Sequence, residues 1–254
     1  AKPPFTIDDS ELRLAPPGTV LPATLTKHDH LARGRLRDRL SQRFRHGRER
    51  STTLASYDAA YSRVDGLMDA ANLFRIDNEP RAIRERYGPT PFGQQALVAR
   101  RLVEAGVPFV RVNRGWWDFH GQNFEFHQEM VPELDIVLSA LLDDLQERGL
   151  LEHTLVMTFS EMGRTPWVNA MQGRDHFPRL SVTLSGCGIQ PGAVYGKTDE
   201  DGNEIIEDEV RLQPFFATVL KAVGIDYQKE NHARDGRPVP LTEYDTEPID
   251  DLLA

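Results

Sequence analysis

The sequence predicts an α/β fold: a mostly parallel central sheet with helices on both faces, preceded by an N-terminal arm of helical and extended segments. Three features carry that prediction. The run Thr154-Leu155-Val156-Met157-Thr158-Phe159 is apolar almost without a break, which suits a strand covered on both faces, as in a parallel sheet. Helix-like and strand-like segments alternate around it, the pattern of an α/β domain with right-handed crossovers. Glycines such as Gly106 and Gly149 close the helical segments and keep the connections short.

Residues 1–25 are Pro-rich and weakly periodic and read as an extended arm. Polar helical patterns follow at about 30–48 and 54–74, so residues 1–75 are assigned to the arm and its helices and 76–254 to the α/β part. Phe92, Ala96, Ala99 and Val103 recur at spacings of four, three and four, one face of an amphipathic helix, and Gly106 ends it as a C-cap does. Val107 to Val112 is β-branched and apolar and reads as a strand leading toward Asp118. Val131, Leu134, Leu138, Leu141 and Leu145 mark a second helix, stopping near Gly149. Leu180 to Leu184 alternates with period two, a half-covered strand. A hairpin or loop holding Gly192, Gly196 and Gly202 comes next, then a helix from about Leu212 to Val223 closed by Gly224. No internal repeat and no phosphate-binding glycine loop is present.

A chain of 254 residues can bury one substantial core. Its formal charge of −9 argues against general nucleic-acid binding. Arginines crowd one segment, from Arg33, Arg35, Arg37 and Arg39 to Arg43, Arg45, Arg48 and Arg50, offset only by Asp38 and Glu49. Without interleaved aromatics they read as a solvated helix face, one that an acidic surface could cover, rather than an RNA-binding helix. The opposite sign gathers between Asp199 and Glu209. The single cysteine, Cys187, implies no internal disulfide and reads as a small half-buried filler. No apolar run approaches the roughly 20 residues of a membrane span, and the N-terminus shows no secretory stretch.

The chemistry concentrates in three runs: Trp116-Trp117-Asp118-Phe119-His120, Ser160-Glu161-Met162-Gly163-Arg164-Thr165-Pro166 and Gly173-Arg174-Asp175-His176. Asp118 and Glu161 follow strand-like runs and His176 precedes one, which places them at the crevice beyond the strand ends of an open sheet. Carboxylate and imidazole ligands from separate loops suit a divalent metal. Side chains at i and i+2 of an extended segment point the same way, so Asp118 and His120 can reach one ion. The competing reading is an Asx-turn at Asp118 with His120 capping a helix that begins near Asn123. Glu161, after a strand covered on both faces, needs a partner for its charge; a metal ion or the guanidinium of Arg164 can supply it. Arg164 can instead hold an anionic ester oxygen through its forked donors, and Asp175 can orient a ligating His176. Ser160 lacks a nucleophile elbow, and His28, His30, His46, His153 and His232 read as solvent-facing. The metal ligands assigned are therefore Asp118, His120, Glu161 and His176. Arg164, Arg174, Asp175, Asn113 and His127 are assigned to substrate contact or ligand support.

Taken together and in order, these runs resemble the bacterial DUF1501 family, a branch of the alkaline phosphatase and sulfatase superfamily. The stretches Tyr87-Gly88-Pro89-Thr90-Pro91-Phe92-Gly93-Gln94, Ala99 to Gly106, Gly192 to Gly196 and Gly224-Ile225-Asp226 extend the match. It covers residues 75–240 well and 1–75 loosely. The resemblance implies an alkaline phosphatase-like sheet, present here in part, with a dinuclear site of zinc, calcium or manganese that hydrolyses phosphate or sulfate esters. It makes Asp118 and His120 the pair of one metal and His176 its third ligand. Glu161 stands where the superfamily commonly has Asp-His, and Met162 replaces that histidine. Such proteins usually start with an export signal, a strand carrying an Asp-rich metal-binding turn, and the nucleophile segment, and reach the periplasm or cell surface. None of these is read before Leu31. The expectation is thus a C-terminal portion, an ester hydrolase that needs an N-terminal segment bearing the nucleophile. The alternative is a non-catalytic α/β module that keeps a metal or anion site. The partners implied are an anionic ester substrate and either a separate N-terminal half or a second copy of the chain, with no nucleic acid and no membrane span.

Overall fold

The computed structural model describes residues 14–16, 21–46, 48, 52–233 and 235–254. Most of the expected Pro-rich arm lies outside the described residues, as do Glu49 and Arg50. The chain divides into two compact units, Ala1–Arg111 and Val112–Ala254.

The first unit is helical. Helix α1 (Lys27–Arg45) starts at a capping box, with the Asp29 amide donating to Thr26 Oγ1 at 3.2 Å and the Thr26 amide to Asp29 Oδ2 at 3.1 Å. None of its residues is buried. Its arginines are partly answered by helix α2 (Thr52–Asp69), where Asp65 accepts from Arg37 at 3.2 Å and Asp58 pairs with Arg45. A 3₁₀ turn (Ala70–Phe74) and the short helix α3 (Arg81–Arg86) lead to helix α4 (Pro91–Glu104). Thr90 caps α4 by accepting from the Gly93 amide at 3.2 Å, and Pro91 sits at its first turn, where a missing N–H costs nothing. Ala96, Leu97, Val98 and Ala99 of α4 are buried, together with Tyr87. Arg100 joins them, held by Glu79 at 2.6 Å and Glu104 at 2.5 Å. Helix α3 has six mostly charged residues, too few to carry a periodic signal in the sequence.

The second unit contains helix α5 (Asn123–Glu147), strand β1 (Leu155–Thr158), the two-residue strands β2 (Gly163–Arg164) and β3 (His176–Phe177), and strand β4 (Thr183–Gly186). A hairpin of β5 (Lys197–Thr198) and β6 (Ile205–Glu207), helix α6 (Leu212–Ala222), and a hairpin of β7 (Glu230–His232) and β8 (Pro238–Pro240) complete it. Among the described residues no helix is long and apolar enough to cross a membrane.

The expected parallel central sheet flanked by helices is not what these strands build. Among the described residues they form four two-stranded antiparallel ladders, β1 with β4, β2 with β3, β5 with β6 and β7 with β8, and helix outweighs strand at 46% to 12%. The physical reason lies in two runs. Residues 107–112 form no strand and pair with no other strand among the described residues, and Phe109 is 79% exposed, so no strand leads into α5 from this run. The 154–159 run does form β1, but every residue of that strand is only half-buried and Phe159 is 59% exposed. Apolar side chains on both faces say nothing about how many strands pair on either side, and here β1 pairs with the antiparallel β4 alone. The site accordingly rests on loops and the β2–β3 ladder.

Candidate metal centre

Two loops build the site. The first runs from Trp116 into α5 and is compressed by two γ-turn bonds, from the Phe119 amide to the Trp117 carbonyl at 3.1 Å and from the His120 amide to the Asp118 carbonyl at 3.2 Å. Phe119 is buried: its ring stacks on Phe126 at 4.6 Å and meets the edge of His127 at 5.3 Å. Trp117 packs on His127 at 5.7 Å. His127 thus lies beneath the loop as an aromatic support. Trp117 is half-buried, whereas Trp116 is 81% exposed and has a φ of 69°. With Phe119 turned inward, Asp118 and His120 share the outer side, and His120 Nδ1 comes within 3.3 Å of Asp118 Oδ1.

The second loop runs from β2 to β3. Arg164 and His176 are direct partners in that antiparallel ladder, and directly opposed residues project from the same face. Both side chains reach Asp118. His176 Nε2 lies 3.0 Å from Asp118 Oδ1, and Arg164 Nη2 donates to the same oxygen. The imidazoles of His120 and His176 are 4.8 Å apart, centre to centre. The Arg164 guanidinium and the His176 contact hold the Asp118 carboxyl at about 2, well below the ordinary carboxylate value.

Asp118, His120 and His176 each offer a donor atom within 4.8 Å of the others. A tetrahedral ion with bonds of about 2.1 Å needs donors about 3.4 Å apart. Asp118 Oδ1 already lies 3.0 Å from His176 Nε2 and 3.3 Å from His120 Nδ1, so the trio is a donor group that could hold a divalent ion. Glu161 is not brought into the group. It is exposed and forms no side-chain hydrogen bond or ion pair among the described residues, so its charge stays solvated and the desolvation that seemed to demand a partner does not arise. Arg164, its candidate partner, turns to Asp118 because the β2–β3 register aims it there.

The remaining residues hold the frame. Arg174 donates through Nη1 to the carbonyls of Thr165, at 2.6 Å, and Pro166, so its guanidinium secures its own loop. Asp175 accepts from Asn169 Nδ2 at 3.0 Å, its amide donates to Thr165 Oγ1 at 3.1 Å and its carbonyl accepts from the Thr165 amide at 3.0 Å; no hydrogen bond joins it to His176. Asn113 is exposed and forms no hydrogen bond among the described residues. Two residues without an assigned role prove central. Thr165 is buried and ties the two strands of the loop together, and Asn169 bridges the loops at 3.0 Å from the His120 carbonyl. An asparagine in a Gly-bounded loop carries an Asx-turn signal, which marks a turn without revealing which loop it will clasp.

A protein-family model described as "Protein of unknown function (DUF1501)" matches residues 6–253. The chain belongs to the DUF1501 family. No curated protein and no solved structure matches it.

Proposed function

We propose that Asp118, His120 and His176 bind one divalent metal ion, with which this DUF1501 chain, joined by a segment that bears the nucleophile, hydrolyses phosphate or sulfate esters. The observation that carries the reading is the convergence of three donor side chains from two loops within 4.8 Å. Two imidazoles and one carboxylate suit zinc or manganese better than calcium, which prefers about six to eight oxygen donors. Three protein ligands are also the number found in catalytic rather than closed structural zinc sites. An ion held there supplies a Lewis acid for an ester oxygen. Arg164 lowers the Asp118 carboxyl below its ordinary value and sets a delocalised positive charge beside the trio, where an anionic ester is attracted. The resemblance of the three runs to the alkaline phosphatase and sulfatase superfamily supports the ester class.

A second reading is a non-catalytic module that keeps the trio for structure or for binding an anion. Arg164 favours it, because its guanidinium already answers the Asp118 charge, and Glu161 adds no second cation site. One experiment separates the two. The purified chain is loaded with zinc or manganese, its metal content measured, and aryl phosphate and aryl sulfate offered. Turnover that His176→Ala abolishes supports the hydrolase. One equivalent of metal without turnover, even when a segment bearing the nucleophile is supplied, favours the module, and no metal uptake sinks the hydrolase reading.

A further inference from the structure

We propose that Asn169 is the positioning residue of this centre, the clamp that holds the His120 loop and the His176 loop at ligating distance. The inference rests on the metal reading of the Asp118, His120 and His176 trio.

Asn169 lies seven residues before His176, in the loop between β2 and β3. Its Oδ1 accepts from the backbone amides of Met171 and Gly173, both at 2.9 Å. Its Nδ2 donates to the His120 carbonyl and to Asp175 Oδ1, both at 3.0 Å. A carboxamide has two N–H donors and two acceptor lone pairs, so the side chain is fully used. The orientation of the amide follows from its partners: two N–H groups face one end, and a carbonyl and a carboxylate face the other. The two donor bonds reach the backbone of one metal ligand and the residue directly preceding another.

Around this amide the backbones are in contact. The Asn123 amide donates to the Gln172 carbonyl at 2.9 Å and the Arg174 amide to the Phe119 carbonyl at 3.0 Å. Gly173 lies so close that a Cβ there would stand 2.0 Å from the His120 carbonyl carbon. With the Gln122 amide donating to the Met171 carbonyl at 3.2 Å, these bonds fix the loops at Gln122, Asn123 and Phe119. At His120, the ligand itself, the tie across is Asn169 Nδ2. Asparagine alone supplies donors and acceptors on opposite sides of one short, flat group. Asn169→Asp has the same shape but turns an acceptor toward the His120 carbonyl and the Asp175 carboxylate, which converts both attractions into repulsions. Orienting groups of this kind typically change metal affinity 10- to 100-fold when replaced.

Cobalt(II) tests the proposal, since its visible spectrum reports the coordination geometry. Wild type, Asn169→Asp, Asp175→Asn, the double variant Asn169→Asp with Asp175→Asn, and His176→Ala are prepared metal-free. Each is titrated with cobalt against a competing chelator. The expected order of affinity is wild type and Asp175→Asn, then the double variant, then Asn169→Asp, weaker than wild type by about 10- to 100-fold with a changed visible band. The double variant recovers part of the loss because the amide introduced at position 175 donates to the carboxylate at 169. Circular dichroism of metal-free Asn169→Asp is expected to match wild type. Wild-type affinity and an unchanged band in Asn169→Asp, while His176→Ala loses cobalt, would overturn the role of Asn169 and leave the metal reading standing. Should Asn169→Asp fail to fold, the double variant is compared with Asp175→Asn alone; equal affinities overturn the proposal, and a weaker double variant supports it. Equal cobalt binding by wild type and His176→Ala would instead refute the metal reading, and the proposal with it.

Discussion

Arg164 donates to Asp118 Oδ1, the same oxygen that His176 Nε2 approaches at 3.0 Å and His120 Nδ1 at 3.3 Å. One carboxylate oxygen is the meeting point of a guanidinium and two imidazoles. The guanidinium keeps the carboxylate charged and aimed, and the imidazoles present the nitrogens with which it could share a cation.

Acid is the first test of that arrangement in the metal-free protein. Arg164, then His176, lowers the Asp118 carboxyl to about 2, against about 3.9 for an unfolded aspartate. Between those values the unfolded chain binds more protons, so stability rises with pH there. The contribution is fully present above about pH 4 and is lost as pH falls through about 2. Arg164→Gln removes the largest cause. We expect the Asp118 carboxyl, followed by NMR, to titrate closer to the ordinary value, and the acid limb of the unfolding curve to flatten over that window. Identical titration in both proteins would show that Arg164 does not set the carboxyl's charge.

Zinc separates the trio from Glu161. A ligand that binds only the folded state, at a hundredfold excess over its Kd, adds about 2.7 kcal/mol of stability. His176→Ala removes a donor, so the zinc-dependent rise in melting temperature is expected to vanish. Glu161→Gln alters an exposed side chain outside the donor group and should keep the whole rise, with stability in the absence of zinc within about 0.5 kcal/mol of wild type. A rise lost equally in both variants would place Glu161 among the ligands.

Much of this was legible in the sequence, for reasons that also explain what was not. The Phe92, Ala96, Ala99 and Val103 spacing found α4, and the leucine spacing from Val131 to Leu145 found most of α5, because helix periodicity is a local property. Strand pairing is not local. The 154–159 run identified β1 but not its antiparallel partner or its open faces, and that error produced the parallel sheet. Pro238 and Pro240 hid β8, since proline argues against a strand except at an edge. At the site, Asp118, His120 and His176 stood out as donors in short runs. The choice of Arg164 between Glu161 and Asp118 depended on the register of a two-residue ladder, which no composition or spacing encodes.

Gly173 tests how closely the two loops must approach. A Cβ at this position would lie 2.0 Å from the His120 carbonyl carbon and 2.1 Å from its oxygen, backbone atoms that cannot rotate aside. Gly173→Ala must therefore part the loops and weaken the Arg174 to Phe119 bond of 3.0 Å. We expect a loss of about 2 to 3 kcal/mol, the cost of overpacking a tight site, seen as a lower urea midpoint at unchanged slope. Zinc affinity should fall with it. Gly115→Ala serves as the control, because a Cβ there meets nothing within 4 Å. Equal midpoints for the two variants would mean that the contact at Gly173 is dispensable.

The first unit offers a test independent of any metal. Glu79 accepts from Arg100 Nη2 at 2.6 Å through one oxygen and from Arg101 through the other. Burial alone would raise its carboxyl, but the two guanidiniums outweigh that and hold it below the usual range. Arg100 is only 1% exposed, whereas Arg101 also binds the carbonyls of Leu73 at 2.8 Å and Asn72 at 3.0 Å. Glu79→Gln keeps the size of the side chain while removing the charge that answers a buried guanidinium. Breaking one side of such a pair costs about 3 to 5 kcal/mol when the remaining charge has no other answer. Arg100 retains Glu104 at 2.5 Å, so we expect about 2 to 3 kcal/mol. The depressed carboxyl also sets the sign with pH. The deficit of Glu79→Gln relative to wild type should be full near neutrality and shrink as pH falls below the unfolded glutamate value of about 4.3. Urea unfolding of both proteins at neutral and acid pH measures it, and a deficit that does not change with pH would show that the charge of Glu79 is not what holds Arg100 in place.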